Sequence, residues 1–114
     1  MHIDSYHFGT IVIDGIEYTR DCMLIGGNVY PDWWRKSGHL LNIEDLNVII
    51  KANPSNLIIG TGSAGAMKVP ESVLDKLEQH QIQTEVFMTS EAVERFNKLS
   101  KTQDDVAAAF HLTC

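Results

Sequence analysis

The stretch Leu57-Ile58-Ile59-Gly60-Thr61-Gly62-Ser63-Ala64-Gly65 is a short apolar run that passes directly into a glycine-rich turn. Its apolar residues follow Asn53-Pro54-Ser55-Asn56, a cluster that ends whatever precedes it, so the run reads as a central strand. Three glycines in six positions then let the backbone bend tightly or approach a ligand closely. The rest of the chain is placed outward from this strand.

Upstream, Phe8, Thr10 and Val12 alternate with Gly9, Ile11 and Ile13, and the alternation resumes after Asp14-Gly15 with Ile16 and Tyr18. An Asp-Gly pair between alternating runs predicts a β-hairpin, because both central residues of a type I′ turn take positive φ. Cys22–Ile25 continues as a strand, Gly26-Gly27-Asn28 breaks it, and Val29-Tyr30 returns before Pro31. Asn42 is expected to cap a helix with Ile43, Leu46, Ile49 and Ile50 on one face, stopped by Asn53-Pro54.

Beyond the glycine turn, Pro70 fits the first position of a second helix, whose stripe of Val73, Leu74 and Leu77 reaches His80. Residues 83–88 have a strand signature, Thr89 is expected to cap a third helix through Leu99, and 101–105 form a polar loop. The closing run Val106–Leu112 is rich in alanine, which favours helix, but its shortness suits a last buried strand, and the strand is preferred. A helix between strands at 57 and 84 is a βαβ pattern, requiring a right-handed crossover and a parallel pair. The fold expected is one α/β or α+β domain over residues 1–114, with a mixed sheet and about three helices.

At 114 residues, 44% hydrophobic and 21% charged, the composition is that of an ordinary globular domain. Fifteen acidic residues against nine Lys and Arg give a formal charge of −6, which repels phosphate backbones within ~8 Å of the surface and argues against nucleic acid as a partner. No stretch approaches the ~20 apolar residues of a membrane span, and the first residues resemble no secretion signal, so a cytoplasmic location is expected. Cys22 and Cys114 are expected to be reduced thiols.

Gly60-Thr61-Gly62-Ser63-Ala64-Gly65 spells G-x-G-x-x-G, and Glu85 lies twenty residues past the last glycine, so three readings compete: a dinucleotide fingerprint, a small-anion site and a structural turn. The next helix begins too late, and Glu85 too early in its strand, for the first. Ala66-Met67 replaces the Lys-Ser/Thr of a phosphate-binding P-loop. Trp33-Trp34-Arg35-Lys36-Ser37-Gly38-His39 gathers aromatics, cations and a histidine. It reads either as a bend with one Trp in the core or as a partner or ligand surface. His111-Leu112-Thr113-Cys114 lacks the further ligands of a zinc site, and a terminal strand is a simpler account than a nucleophilic Cys114. The sequence spells no catalytic motif and no metal or cofactor signature.

Taken together, Phe8-Gly9, Ile13-Asp14-Gly15, Tyr18, Trp34-Arg35, Gly38-His39, Leu57–Gly62, Thr89, Ala92-Val93, Asn97 and His111–Cys114 make the chain resemble the Mth-type domain family. That family includes an adipogenesis-associated protein and mitochondrial complex I assembly factor 3. The resemblance implies three layers with a central mixed five-stranded sheet, and an accessory or assembly-factor role. It carries across the glycine turn and the arginine-containing bend as a candidate pocket, and it implies no cofactor and no catalytic residue. Two functions are therefore expected to compete. One is a non-catalytic interaction protein using Trp33, Trp34, Arg35 and Lys36. The other is a small-anion binder or enzyme using Gly60, Thr61, Gly62 and Ser63, with Arg35 or His39 as counter-charge.

Overall fold

A computed structural model describes residues 1–114. The Asp14-Gly15 pair turns the chain as its chemistry requires: φ is 49° at Asp14 and 80° at Gly15, and the two residues join β2 (Thr10–Ile13) to β3 (Ile16–Tyr18). The expected hairpin gains a third strand. β1 (Ile3–His7) pairs antiparallel with β2, and Phe8-Gly9 forms the turn between them, with Gly9 at φ 79°. Phe8 thus leaves the strand assigned to it. In β1 only Ile3 is fully buried, so the period-two pattern that marks a half-buried strand is too faint to read.

The main sheet has the order β5-β4-β8-β6-β7, with β4 at Cys22–Ile25, β5 at Asn28–Tyr30, β6 at Asn56–Thr61, β7 at Gln83–Phe87 and β8 at Val106–His111. β6 lies parallel to both β7 and β8, while β4 runs antiparallel to β8 and β5, so the sheet is mixed. All six residues of β6 and all six of β8 are buried. In Ala107-Ala108-Ala109 tertiary burial overrides the helical preference of alanine, and the small side chains admit helices close on both faces.

Alternation along these strands divides the core. Met23, Ile25, Leu57, Ile59, Ala107 and Ala109 pack with Leu46, Ile49, Val73 and Leu77 on one face. The helical residues come from a 3₁₀ turn (Ile43–Leu46) running into α1 (Asn47–Ala52), and from α2 (Glu71–Gln79). Cys22, Leu24, Ile58, Ala108 and Phe110 face the other way, onto Ala92, Val93 and Phe96 of α3 (Thr89–Ser100) and onto Ile3, Ile11 and Ile13 of the small sheet. Three layers result. Asn97 on α3 both donates to Ile3 O (2.8 Å) and accepts from Ile3 N–H (2.9 Å), docking β1 with the pairing a strand neighbour would offer.

Two caps differ from expectation. Pro70 is the cap residue itself, extended at ψ 151°, and α2 begins one residue later. Thr89 is the first residue of α3, with Met88 as its cap. The Thr89 hydroxyl is diverted: it donates to His111 O (2.6 Å) and accepts from Gly62 N–H (2.8 Å), stitching α3 to the ends of β8 and β6. Gly60 lies under this stitch, where an added Cβ would sit 2.8 Å from Thr89 Oγ1 and 2.9 Å from Phe110 Cδ1. Gly60→Ala is expected to lower stability by about 1–3 kcal/mol through overpacking, seen as a melting temperature several degrees lower. An unchanged melting temperature would mean that the three elements part without strain.

Candidate functional site

The glycine turn leaves the carboxyl end of β6 with Gly62 at φ 110° and Gly65 at φ 71°. Three N–H groups of residues 63–66 point to the chain's own residues 113 and 114. Ser63 N–H donates to Thr113 O (2.6 Å), and Ala64 and Ala66 N–H donate to Cys114 O (3.3 and 2.9 Å). Gly62 N–H is held by Thr89, and Gly65 N–H donates to Gly62 O (3.3 Å). Glycine is required at position 62, since a Cβ there would overlap the Cys114 main chain and stand 2.8 Å from His111 Cδ2. No helix opens on the turn, because α2 starts at Glu71. Glu85, the acid that a dinucleotide site would need, is committed to a forked pair with Arg95 (2.9 and 3.2 Å).

Beside this turn lies a buried ionic knot. The bend after β5 is fixed at Trp33, whose N–H donates to Asp21 O (2.9 Å) and whose indole Nε1 donates to Asp45 O (2.9 Å). The Asp45 carboxylate accepts from the N–H of Asn42 (2.8 Å) and of Lys36 (3.2 Å), clamping the same bend from the 3₁₀ turn. Arg35 is thereby turned inward: its side chain is 5% exposed, and its Cζ lies 4.7 Å over the Trp33 ring. Arg35 Nη1 donates to Asp21 Oδ2 (2.8 Å) and Nη2 to Gly38 O (2.9 Å).

Asp21 Oδ2 also lies 2.8 Å from His111 Nδ1, and Oδ1 accepts from Leu112 N–H (2.7 Å). An ionised carboxylate can only accept, so the proton of this pair belongs on His111 Nδ1, although Arg35 Nη2 stands 3.1 Å from the same atom. Burial by itself would raise the Asp21 pKa. The bonds from His111, Leu112 N–H and Arg35 outweigh it and hold the carboxyl below its ordinary value near 3.8. Burial, with the charge of Asp21 adding to it, raises the phenol of Tyr6, whose hydroxyl donates to Leu112 O (2.7 Å). Arg35 Nε and His111 Nε2 are buried without a protein partner.

The structure sorts the residues singled out from sequence into two places. Arg35, His39 and Gly62 converge on His111, with the His39 ring edge-on at 5.8 Å. Thr61 is buried there and donates to Phe87 O (3.1 Å), while Ser63 is exposed. The cluster sits at the carboxyl ends of β6 and β8, where open α/β sheets characteristically bind ligands. No surface cleft is lined by Asp21, Arg35 or His111. Trp34 and Lys36 instead face a separate cleft of 310 Å³ that includes Met23, Trp33, Glu44 and Val48.

Asp21 and His111 escape a reading of the sequence as a pair. Ninety residues separate them, and only the antiparallel register that sets Cys22 opposite Phe110 brings them together. Both cysteines are free; burial pushes the Cys22 thiol up to about 12, which makes it inert, and Cys114 is exposed. No three His, Cys, Asp or Glu side chains are grouped to hold a metal ion, and no helix is long and apolar enough to cross a membrane.

A family model described as "protein of unknown function (DUF498/DUF598)" matches residues 3–111. The chain belongs to this DUF498/DUF598 family. Among solved structures it is similar to a conserved hypothetical protein from Pyrococcus horikoshii OT3, at 23% identity over 100% of both chains with a TM-score of 0.84. It is also similar to a protein from Bartonella henselae described as an outer membrane protein, at 24% identity over 98% of this chain and 94% of that one, TM-score 0.83. A third neighbour is a Bordetella pertussis protein described as a Mth938-like domain, at 18% identity over 97% of this chain and 85% of that one, TM-score 0.68. These likenesses establish the DUF498/DUF598 fold, and they agree with the Mth-type resemblance read from sequence.

Asp21→Asn keeps the shape of the knot and removes its negative charge, leaving Arg35 buried and unpaired. Urea unfolding at neutral pH is expected to show a loss of about 3–5 kcal/mol. Because the folded-state pKa of Asp21 lies below the unfolded one, its contribution is complete above the unfolded value near 3.8 and is lost as pH falls through the lower folded value. The gap between wild type and Asp21→Asn should therefore close in acid. A gap independent of pH would assign the loss to packing rather than to charge.

Proposed function

We propose that this DUF498/DUF598 protein is a non-catalytic, cytoplasmic accessory module that docks a protein partner through the Trp33–Lys36 bend, with Trp34 as the anchor. The observation that carries this reading is the contrast within one bend. Trp34 is 76% exposed, while its neighbours Trp33 and Arg35 are buried and fixed by hydrogen bonds to Asp45, Asp21 and Gly38. An exposed indole on a rigid mount offers large contact area at little entropic cost, the character of an interface hot spot. Val48, 45% exposed and lining the same cleft as Trp34, adds apolar surface. Because Trp34 makes few internal contacts, Trp34→Ala is expected to leave the melting temperature nearly unchanged while weakening partner capture by about thirtyfold or more. Quantitative crosslinking and mass spectrometry of wild type against Trp34→Ala measures this, and an identical partner set for both would end the proposal.

A second reading is motivated by the convergence of Arg35, His39 and Gly62 on His111, with two buried nitrogens lacking partners. In this reading a small anion binds where residues 113 and 114 now meet the glycine turn, and it must displace them to do so. Thermal unfolding against phosphate, nucleotides, phosphosugars and carboxylates tests it. A ligand present at ~100 times its Kd adds ~2.7 kcal/mol, whereas a flat response across the panel counts against anion binding.

A further inference from the structure

We propose that the cleft beside Trp34 receives an arginine side chain of a protein partner, its guanidinium stacked on the Trp34 indole and paired with Asp32 or Glu44. The inference rests on the reading of this bend as a docking surface and adds the chemistry of what docks. A template for the contact exists one residue away. Arg35 lies 4.7 Å over the Trp33 ring and bonds the Asp21 carboxylate at 2.8 Å, so the bend already builds one indole, guanidinium and carboxylate sandwich. Trp34 repeats the indole and shares its clefts with Asp32 and Glu44 and with the cations Lys36 and Arg20, but neither cation lies over its ring.

The acids are only weakly engaged. Asp32 and Glu44 line the same 310 Å³ cleft as Trp34. Each is held in a loose, solvent-exposed salt bridge: Arg20 Nε stands 3.6 Å from Asp32 and Lys36 Nζ 3.7 Å from Glu44, every one of these side chains more than half exposed. Such pairs contribute little and exchange readily for a shorter, forked bond. A guanidinium suits the site better than an ammonium because it is planar, stacks on an indole and offers two parallel N–H groups to one carboxylate. Charge selects among other occupants. A second copy of this chain would bring another −6 against the −6 already present, and a neutral apolar segment would desolvate the exposed Asp32–Arg20 and Glu44–Lys36 pairs with no charged bond in return.

The test titrates ¹⁵N-labelled protein with acetyl-Gly-Arg-Gly-amide and with its lysine and citrulline counterparts at low salt, following the Trp34 indole N–H and the Val48 amide. Saturable shifts with the arginine peptide are expected, with affinity lower by about tenfold for lysine and no response to citrulline. Trp34→Ala should abolish the response, and Asp32→Asn with Glu44→Gln should weaken it by about tenfold. Equal responses to arginine and lysine, a response to citrulline, or persistence in Trp34→Ala would each overturn the assignment. Loss of cellular partners from Trp34→Ala with no arginine response in the wild type would also overturn it, while leaving the docking surface itself standing.

Discussion

One carboxylate holds the bend after β5 and the carboxyl end of β8 together. Asp21 stands between β3 and β4 and ties its own segment to two distant pieces of chain: the bend, through Arg35, and the end of β8, through His111 and the main chain of Leu112. A charge with its side chain only 19% exposed is tolerable because donors surround it, and each donor is equally committed, since the Arg35 guanidinium is more deeply buried still. The bend between β5 and the 3₁₀ turn has no regular secondary structure of its own. Its rigidity comes from this charge pair, the indole beneath the guanidinium, and the Asp45 clamp. An irregular loop thereby presents one indole to solvent from a fixed position.

The glycine turn shows the same economy with uncharged groups. A G-x-G-x-x-G run is usually valued for the empty space it leaves a ligand; here the space is filled by the main chain of residues 113 and 114 and by the His111 ring. The Thr89 hydroxyl completes the arrangement by giving one hydrogen bond to β8 and taking one from the turn. Buried backbone groups at the ends of three elements are satisfied without water.

Much of this fold can be read along the chain because its signals are local. The Asp14-Gly15 turn, the apolar runs at 22–25 and 57–59 and the helical stripes each follow from a few adjacent residues, and the βαβ pattern then dictates a parallel pair. Glycine at position 62 stands out for the right reason, close approach, although what approaches is the chain itself. What stays hidden is tertiary. β1 is a strand by its pairing with β2 more than by its own pattern, and Thr89 looks like a cap until the distant carbonyl of His111 claims its hydroxyl. Asp21 looks like the polar edge of a strand, and His111 like half of a thiol pair. Only the sheet register joins them to Arg35 and turns an ordinary cationic bend into a buried, directed one.

The position of β8 within the sheet governs how the protein assembles. β4–β5 and β6–β7 pair within their own stretches of chain, yet no hydrogen bond joins one pair to the other except through β8, the last strand in sequence. Until residues 106–111 are in place the domain is two half-sheets, each with an unsatisfied inner edge and an apolar surface turned to water. Closure pairs residues as far apart in sequence as Cys22 and Phe110, and contacts of that range raise contact order and slow folding. The strand at the centre of the sheet is thus the last of the eight to be synthesised, and the sheet cannot be completed before it.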